Sequence, residues 1–153
     1  MMKINKIKKV LIALDYDVTS KKVAEAGYSL AESMGAETIL LHVISELPVY
    51  YSESNYAHEY KVDLLGDSNK TTQVFLEKAK KHLGDEAVQT VLKEGEIADT
   101  ILKTAKEMAV DIIVLGSHSR NWLESIILGS QAEDVLTNSP IPVLIVPIKK
   151  KED

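Results

Sequence analysis

The stretch from Ile112 to Gln131, IIVLGSHSRNWLESIILGSQ, places the strongest constraint on the fold of this chain. Its apolar opening stops at Gly116, which is the pattern of a buried parallel strand leaving its sheet. Gly129 and Ser130 then precede QAEDVLTN, and a small cap residue followed by acidic residues is typical of a helix start. Free N–H groups and the positive end of the helix dipole at such a start bind anions, most often phosphate. The stretch therefore predicts a strand, a glycine loop and an anion-binding helix N-terminus.

The length and composition of the chain predict one domain over residues 1–153, with tails at 1–7 and 148–153. The absence of cysteine excludes a disulfide framework and fits a reducing compartment, so we expect a cytoplasmic protein. No apolar run is long enough for a signal-peptide core or a membrane span, so no membrane partner is predicted. The net charge of −5 argues against binding to duplex nucleic acid, which requires a basic face.

Apolar runs alternate with helical repeats along the whole chain. The predicted strands are Lys8–Asp15, Glu37–Val43, Ala87–Lys93, Asp111–Gly116 and Pro142–Val146. The predicted helices start at Thr19 or Ser20, at Ser68 or Asn69, at Glu96 and at Ser130, and the first and second end at Gly35 and Gly84. The first helix is expected to bury Val23, Ala26, Leu30, Ala31 and Met34, the second Val74, Phe75, Ala79 and Leu83, and the third Ile97, Ile101, Ala105 and Met108. Five strands and four helices in alternation predict a single doubly wound α/β domain.

The third strand, AVQTVLK, is partly polar and so belongs at an edge of the sheet rather than at its centre. Of the two usual five-stranded orders, 2-1-3-4-5 and 3-2-1-4-5, only the second puts it there. Ligands then bind between strands one and four, outside their carboxyl ends. Those ends carry Asp15 and Gly116, which is where the glycine loop begins. We expect Asp15 to contact the ligand and the turn to require Gly116.

The fifth strand should form the other edge, yet its residues are all apolar: Val143, Leu144, Ile145 and Val146. An apolar edge without a neighbour favours aggregation unless a partner covers it, and Pro142 and Pro147 limit its length. We therefore expect a homodimer in which this strand pairs with its symmetry mate.

Two further groups of residues have a structural reading and a functional alternative. The tyrosine-rich segment 44–67 is interpreted as a surface excursion packed on the body of the domain, with a functional lid as the alternative. Among the histidines, His42 is expected to be hydrogen-bonded in the core and His118 to be a loop residue rather than a general base. His58 and His82 have no partner at metal-ligand spacing, so no metal site built by the protein is predicted.

Asp15 after the first strand, the second strand ETILLHV, the glycine loop and the closing IPVLIV together resemble the universal stress protein family of the UspA type, over essentially the whole chain. The nucleotide-binding branch of that family carries the motif G-x2-G-x9-G-S/T. Gly116 matches its first position, Ser119 stands in place of the second glycine, and Gly129 with Ser130 match its end with the spacing intact. Arg120 keeps an arginine of the family pattern, and Gln131 replaces a valine.

The resemblance implies an adenine nucleotide alpha hydrolase-like fold and a dimer that binds ATP or another adenine nucleotide, with Mg or Mn as a candidate companion ion. Asp15 would contact the adenosine side, Ala13 and Val43 would hold the adenine, and backbone N–H groups at Ser130 and Gln131 would take the phosphates. The implied binding residues are Ala13, Asp15, Val43, Leu115, Gly116, Ser117, Ser119, Arg120, Gly129, Ser130 and Gln131.

Three functions compete at this point: a regulatory protein that holds a nucleotide, a ligand-free dimeric interaction module of the same fold, and a slow ATPase or adenylyl-transferring enzyme. A phosphate-transfer enzyme needs positioned metal ligands and a group that orients water. The chain has neither a Walker A lysine nor a phospho-acceptor aspartate after the third strand, so no catalytic residue is predicted and the enzyme is the weakest reading.

Overall fold

The computed structural model describes residues 6–45, 70–117 and 128–148 of the chain. Most of the tyrosine-rich segment, the predicted start of the second helix at Ser68 or Asn69, and the residues His58, His118, Ser119 and Arg120 lie outside these ranges. The strands are β1 (Lys9–Ala13), β2 (Glu37–Ile44), β3 (Gln89–Glu94), β4 (Ile112–Gly116) and β5 (Val143–Val146). The helices are α1 (Ser20–Met34), α2 (described over 70–83), α3 (Ile97–Glu107) and α4 (Ser130–Asn138).

The strands form one parallel sheet in the order β3-β2-β1-β4-β5, as the sequence predicts. The central strand β1 has Leu11 paired with Ile39 of β2 on one side and with Ile113 of β4 on the other. Strand β3 lies at the edge, where its polar positions Gln89 and Lys93 are exposed. The polar residues of β3 thus account for its position at the edge of the sheet, because in this helix-covered sheet only an edge strand can expose polar side chains to water.

Alternate residues of the sheet supply two separate cores. On one face β1 and β4 pack against helices α1 and α2, through residues that include Val10, Ile12, Val114, Ala24, Ala31 and Leu76. On the other face the sheet packs against α3 and α4, through residues that include Leu11, Ile39, Ile113, Ile101 and Val135. Helices cover both faces of the central strands, which is the arrangement that continuous apolar strands require.

The helix ends lie close to the predicted ones, although Thr19 precedes α1 without a side-chain cap hydrogen bond. Gly35 ends α1 in the left-handed conformation, with φ of 64°, and its N–H donates to the carbonyl oxygen of Glu32. Glu96 caps α3, since its carboxylate accepts hydrogen bonds from the N–H groups of Ala98 and Asp99. None of the helices in the described ranges has both the length and the apolar character needed to cross a bilayer.

Three predictions of burial are wrong. Val74 on α2 is 54% exposed, and Leu76, which was not expected inside, is 1% exposed. The face of α2 that packs on the sheet carries Thr72, Leu76, Ala79 and Leu83, so Val74 lies on the other side of the helix. Met34, the last residue of α1, is also exposed, at 36%. The predicted tails are too long, since the side chains of Ile7 and Ile148 belong to the core packed by α1 and α2.

Helix α1 lies unusually close to the sheet at Gly27. A β-carbon at this position would lie 2.6 Å from the Cδ1 atom of Ile12 and 3.3 Å from the Cγ1 atom of Val114. Carbon atoms in contact are normally about 3.5 to 4.0 Å apart. The glycine therefore sets the distance between α1 and strands β1 and β4.

The hydroxyl of Tyr28 joins α1 to the turn that follows α2. Its oxygen lies 2.7 Å from Oδ2 of Asp85 and 2.9 Å from Oε1 of Glu32. The other carboxylate oxygen of Asp85 accepts the N–H of Ala87 at 2.9 Å. Hydrogen bonding to Asp85 raises the pKa of Tyr28 above its ordinary value, and the same bond, with that from Ala87, lowers the pKa of Asp85.

Candidate functional site

A cavity of about 660 Å³ opens at the carboxyl ends of β1 and β4, where the strand order reverses. Its lining is formed by Ala13, Asp15, Tyr16, Asp17, Ile97, Ile101, Leu115, Gly116, Leu128, Gly129, Ser130, Gln131, Ala132 and Val135. Cavities of a few hundred to about 1,000 Å³ are the usual size for cofactor and small-molecule sites. The cavity lies at the edge of the sheet where the strand order and the glycine loop predict a ligand site.

The cavity brings together seven of the implied binding residues: Ala13, Asp15, Leu115, Gly116, Gly129, Ser130 and Gln131. Two others lie elsewhere. Val43 is buried in the core between the sheet and helices α3 and α4, and Ser117 does not line the cavity and is buried, with 2% of its surface exposed. Ser119 and Arg120 lie outside the described residues.

Ser117 joins three parts of the chain. Its N–H donates to the carbonyl oxygen of Val146 at 3.0 Å, and its Oγ accepts the N–H of Ile148 at 2.9 Å. Its carbonyl oxygen accepts the N–H of Gly129 at 2.7 Å. Ser117 thus fixes the start of α4 relative to strands β4 and β5, and in this position it supports the wall of the cavity rather than forming it.

The N-terminus of α4 faces the cavity without a side-chain cap. Gly129 precedes the helix in an extended conformation, with φ of −64° and ψ of 153°, and its carbonyl oxygen accepts the first helical hydrogen bond, from Glu133. The N–H groups of Ser130, Gln131 and Ala132 have no acceptor within the described part of the chain. Their partial positive charges and the helix dipole make this wall of the cavity suited to an anion.

The structure gives Gly116 a packing role rather than the predicted turn role. Its φ is not positive, so the turn does not require a glycine there. A β-carbon would instead lie 3.1 Å from Cγ2 of Val23 on α1 and 3.3 Å from Cγ1 of Ile148. The absence of a side chain lets α1 and the end of β5 close against the sheet, on the side away from α4.

The opposite wall of the cavity starts where β1 ends. The N–H of Leu14 donates to the carbonyl oxygen of Leu41 at 2.8 Å, and Nδ1 of His42 lies 2.6 Å from the carbonyl oxygen of Leu14. These contacts with β2 fix the backbone immediately before Asp15, whose side chain is exposed at the cavity. His42 is thus a hydrogen-bonded core residue, as predicted.

Two cavity residues beside Asp15 were not predicted. Asp17 accepts hydrogen bonds from the N–H and the hydroxyl of Thr19, and so stabilises the turn that enters α1. Tyr16 packs its ring against Phe75 of α2, with ring centroids 5.0 Å apart. The sequence signal for both was their position directly after a central strand at the switch point.

The floor of the cavity is apolar and was also missed. It is formed by Ile97 and Ile101 from the first turns of α3 and by Leu128, Ala132 and Val135 around the start of α4. Their helical spacing predicts only that they are buried, and it does not distinguish a core position from a cavity wall. Helices α3 and α4 both begin at the carboxyl edge of the sheet, which brings these side chains to the cavity.

The described residues contain no group of three or more acidic or histidine side chains that could hold a metal ion. His82 instead lies 2.6 Å from Oε1 of Glu25, in a pair that links α2 to α1. The pair is exposed to solvent on both sides, where such contacts contribute little to stability.

Comparison with known proteins agrees with this geometry. The sequence profile of the Universal stress protein family matches residues 6–147. The chain is 36% identical to the universal stress protein YxiE of Bacillus subtilis, over 90% of this chain and 97% of that protein. The solved structure of MJ0577 from Methanocaldococcus jannaschii superimposes with a TM-score of 0.77 at 30% identity, over 96% of this chain and 100% of the other.

A universal stress protein solved in complex with cAMP has the same fold, with a TM-score of 0.69 at 18% identity, over 94% of this chain and 98% of the other. The matches to YxiE and to MJ0577 in sequence cover 97% and 96% of those proteins. The sequence profile, these relatives and the order of the strands lead to one conclusion: this chain belongs to the universal stress protein family.

Proposed function

We propose that this protein binds ATP or another adenine nucleotide in the cavity between β1 and β4 and acts as a cytoplasmic regulatory dimer in a stress response. The observation that carries the proposal is the uncapped N-terminus of α4, whose N–H groups at Ser130, Gln131 and Ala132 face a cavity that also presents Asp15. A universal stress protein of the same fold is known in complex with cAMP, which supports an adenine nucleotide as the ligand class.

The chemistry of the cavity walls fits the parts of a nucleotide. The phosphates would accept hydrogen bonds from the N–H groups at the start of α4. The carboxylate of Asp15 would accept a hydroxyl of the ribose, and the apolar floor formed by Ile97, Ile101 and Val135 is suited to a flat base. Ala13, Leu115, Gly116 and Gly129 would complete the contacts, with Ser117 and Val43 supporting them from the core.

A divalent cation would enter the site with the nucleotide. Mg²⁺ keeps several waters and is commonly held by one or two carboxylates together with phosphate oxygens. Asp15 and Asp17 are the carboxylates that line the cavity. A Mg²⁺ or Mn²⁺ ion on the phosphates would reduce the charge that the α4 N-terminus must balance.

The proposed dimer uses the free edge of β5. In the described sheet this strand has β4 as its neighbour on one side, and Leu144 exposes 38% of its surface. An apolar edge strand of this kind is covered in most native proteins. Pairing of β5 with its symmetry mate would cover Leu144 and continue the sheet across two subunits.

The start of α4 offers a sharp test of nucleotide binding. Ser130 is the first helical residue, and proline is favoured at that position because its missing N–H has no partner within the helix. Gly129 already has the extended conformation that a residue before proline adopts. Ser130→Pro therefore removes one N–H from the proposed phosphate site while it leaves the helix in place, and Ser130→Ala, which keeps that N–H, is the matched control.

The measurement is calorimetric titration of nucleotide-free protein with ATP and Mg²⁺, beside adenosine. We expect micromolar binding by the wild type and by Ser130→Ala, and a loss of about tenfold or more for Ser130→Pro, because one hydrogen bond to a charged group contributes roughly 1.5–3 kcal/mol. Adenosine should bind both variants equally. If millimolar ATP produced neither heat nor a thermal shift, the ligand-free dimeric module would be the better reading, and metal-dependent release of phosphate would favour the slow ATPase.

A further inference from the structure

The side chain of Gln131 connects the starts of the two helices that border the cavity. Its Oε1 atom accepts the N–H of Ala98 at 3.1 Å, so a residue in the first turn of α4 binds the first turn of α3. The same side chain lines the cavity. Gln131 is thus both a contact between helices and part of the wall that a ligand would meet.

The hydrogen bond to Ala98 determines the orientation of the Gln131 side-chain amide. A backbone N–H can only donate, so the atom facing Ala98 must be the oxygen of Gln131. The carboxylate of Glu96 shares in capping the same turn, at 3.4 Å from the N–H of Ala98 and 2.7 Å from that of Asp99. Helix α3 therefore has its own acceptors, whereas the first turn of α4 has none among the described residues.

The NH₂ group of Gln131 is the other end of the fixed amide. It carries two N–H donors, and no acceptor for them is present within residues 6–45, 70–117 and 128–148. Because Oε1 is held by α3 and Gln131 lines the cavity, the NH₂ group is the part of the amide that remains for a ligand in the cavity. A side chain with one end held loses little further conformational freedom when its other end binds.

We propose that Gln131 determines specificity in the nucleotide site, by donating from Nε2 to a phosphoryl oxygen of the ligand while Oε1 holds the side chain against α3. The proposal rests on the proposed function. The valine of the resembled motif would supply neither contact, so this donor is a property of the present chain. It extends the row of backbone N–H groups at the start of α4 by a side-chain donor that favours phosphorylated ligands over the free nucleoside.

Two substitutions separate the two ends of the amide. Gln131→Glu keeps an oxygen for the N–H of Ala98 and replaces the donors by a second oxygen. Gln131→Met has nearly the same length and no charge, and it removes the acceptor as well as the donors. Gln89→Glu, the same exchange on an exposed position of β3 at the opposite end of its strand from the cavity, controls for the added charge.

The readout is the ratio of the ATP affinity to the adenosine affinity, measured by calorimetry, together with the melting temperature of the ligand-free protein. We expect this ratio to fall at least tenfold in Gln131→Glu and several-fold in Gln131→Met, and to stay unchanged in Gln89→Glu. The melting temperature should be retained in Gln131→Glu and fall in Gln131→Met, since only the second loses the bond to Ala98.

The failures of this proposal and of the proposed function are distinguishable. If the wild type binds ATP and Gln131→Met keeps the wild-type ratio, the donor role is wrong and the nucleotide site stands. If Gln131→Met loses ATP and adenosine to the same extent while Gln131→Glu binds both as the wild type does, Gln131 serves only to join the helices and the proposal is overturned. If the wild type itself binds no ATP, the proposed function fails and this inference fails with it.

Discussion

The N–H of Gly129 donates to the carbonyl oxygen of Ser117 over 2.7 Å, and this one bond joins the end of β4 to the start of α4. The residues that enter and leave the glycine loop are therefore held together by their backbones. The bond also uses the N–H of Gly129 itself, so the unpaired donors of the helix begin at Ser130. The orientation of the proposed phosphate site is thus set by the sheet.

Gly129→Asp should stabilise the ligand-free protein and abolish ATP binding. Aspartate is among the preferred residues at the position before a helix and fits the extended conformation of Gly129. Its carboxylate would accept the N–H groups of the first turn and interact with the dipole, with a gain of about 0.3–1 kcal/mol. The same carboxylate would occupy the place of a phosphate and repel it. Thermal unfolding and ATP titration measure the two effects.

Gly129→Asn is the neutral control for that substitution. It should also stabilise the ligand-free protein, by a few tenths of a kcal/mol, and weaken ATP binding less than the aspartate does. Equal ATP affinity in the wild type and in Gly129→Asp would show that the nucleotide does not use this helix end.

The contact between Tyr28 and Asp85 predicts a pH-dependent contribution to stability. The folded-state pKa of Asp85 is lowered, so this contribution is present above the unfolded value of about 4 and is lost as the pH falls through the folded-state pKa. The pKa of Tyr28 is raised, so its contribution is present below about pH 10 and is lost as the pH rises through the folded-state value. Tyr28→Phe should therefore be less stable than the wild type near neutral pH.

Urea unfolding of both proteins at several pH values checks this. The difference in midpoint between wild type and Tyr28→Phe should shrink from about pH 5 toward about pH 2, and Asp85→Asn should flatten the wild-type curve over the same range. A difference that stayed constant across this range would mean that the tyrosine acts through packing alone.

Leu144→Glu should convert the proposed dimer into a monomer. The residue lies at the centre of β5 and is 38% exposed, so a carboxylate there would place two like charges across a paired edge. Val74→Glu is the matched control, because Val74 is an exposed apolar residue on α2, away from β5. Sedimentation analysis at micromolar concentration should show a dimer for the control and a monomer for Leu144→Glu. A monomeric wild type would contradict the dimer directly.

Gly27→Ala should destabilise the protein by about 1 kcal/mol. Alanine gains about 1 kcal/mol in helix propensity, but overpacking against Ile12 costs typically 1–3 kcal/mol. Ile12→Ala removes both the Cδ1 and the Cγ1 atoms, which lie 2.6 Å and 2.7 Å from the added carbon. In a double-mutant cycle by urea unfolding, the loss in Gly27→Ala should therefore be smaller in the Ile12→Ala background. Additive effects would mean that the helix moves away as a unit.

The strand order was predictable because polar residues in β3 and apolar residues in β1 and β4 leave one consistent arrangement of the sheet. The start of α4 at Ser130 and the left-handed cap at Gly35 were predictable for a local reason: small and flexible residues mark helix ends whatever surrounds them. The same signals located Asp15 and Gly129 at the cavity, since topology brings the ends of adjacent parallel strands together.

The features that could not be predicted from the sequence depend on contacts between segments that are distant along the chain. The positions of α3 and α4 at the edge of the sheet decide whether Ile97 and Val135 lie in the core or line the cavity. The periodicity of the sequence does not contain that information. The role of Gly116 was mistaken for a turn because its neighbours Val23 and Ile148 are remote in sequence. Val74 was misplaced because apolar residues occur on both sides of α2.

Ser117 has a consequence for how assembly and ligand occupancy relate to each other. It binds the exit of β5 through Val146 and Ile148, and it binds the entry of α4 through Gly129. In a dimer paired through β5, Ser117 would therefore be hydrogen-bonded both to the strand that forms the subunit interface and to the residue that precedes the phosphate site. If pairing shifts Ser117, thermodynamic reciprocity requires that nucleotide tighten or loosen the dimer by the same factor by which dimerisation changes nucleotide affinity. Because the dimer fraction rises with protein concentration, the affinity for nucleotide would then depend on the abundance of this protein in the cell.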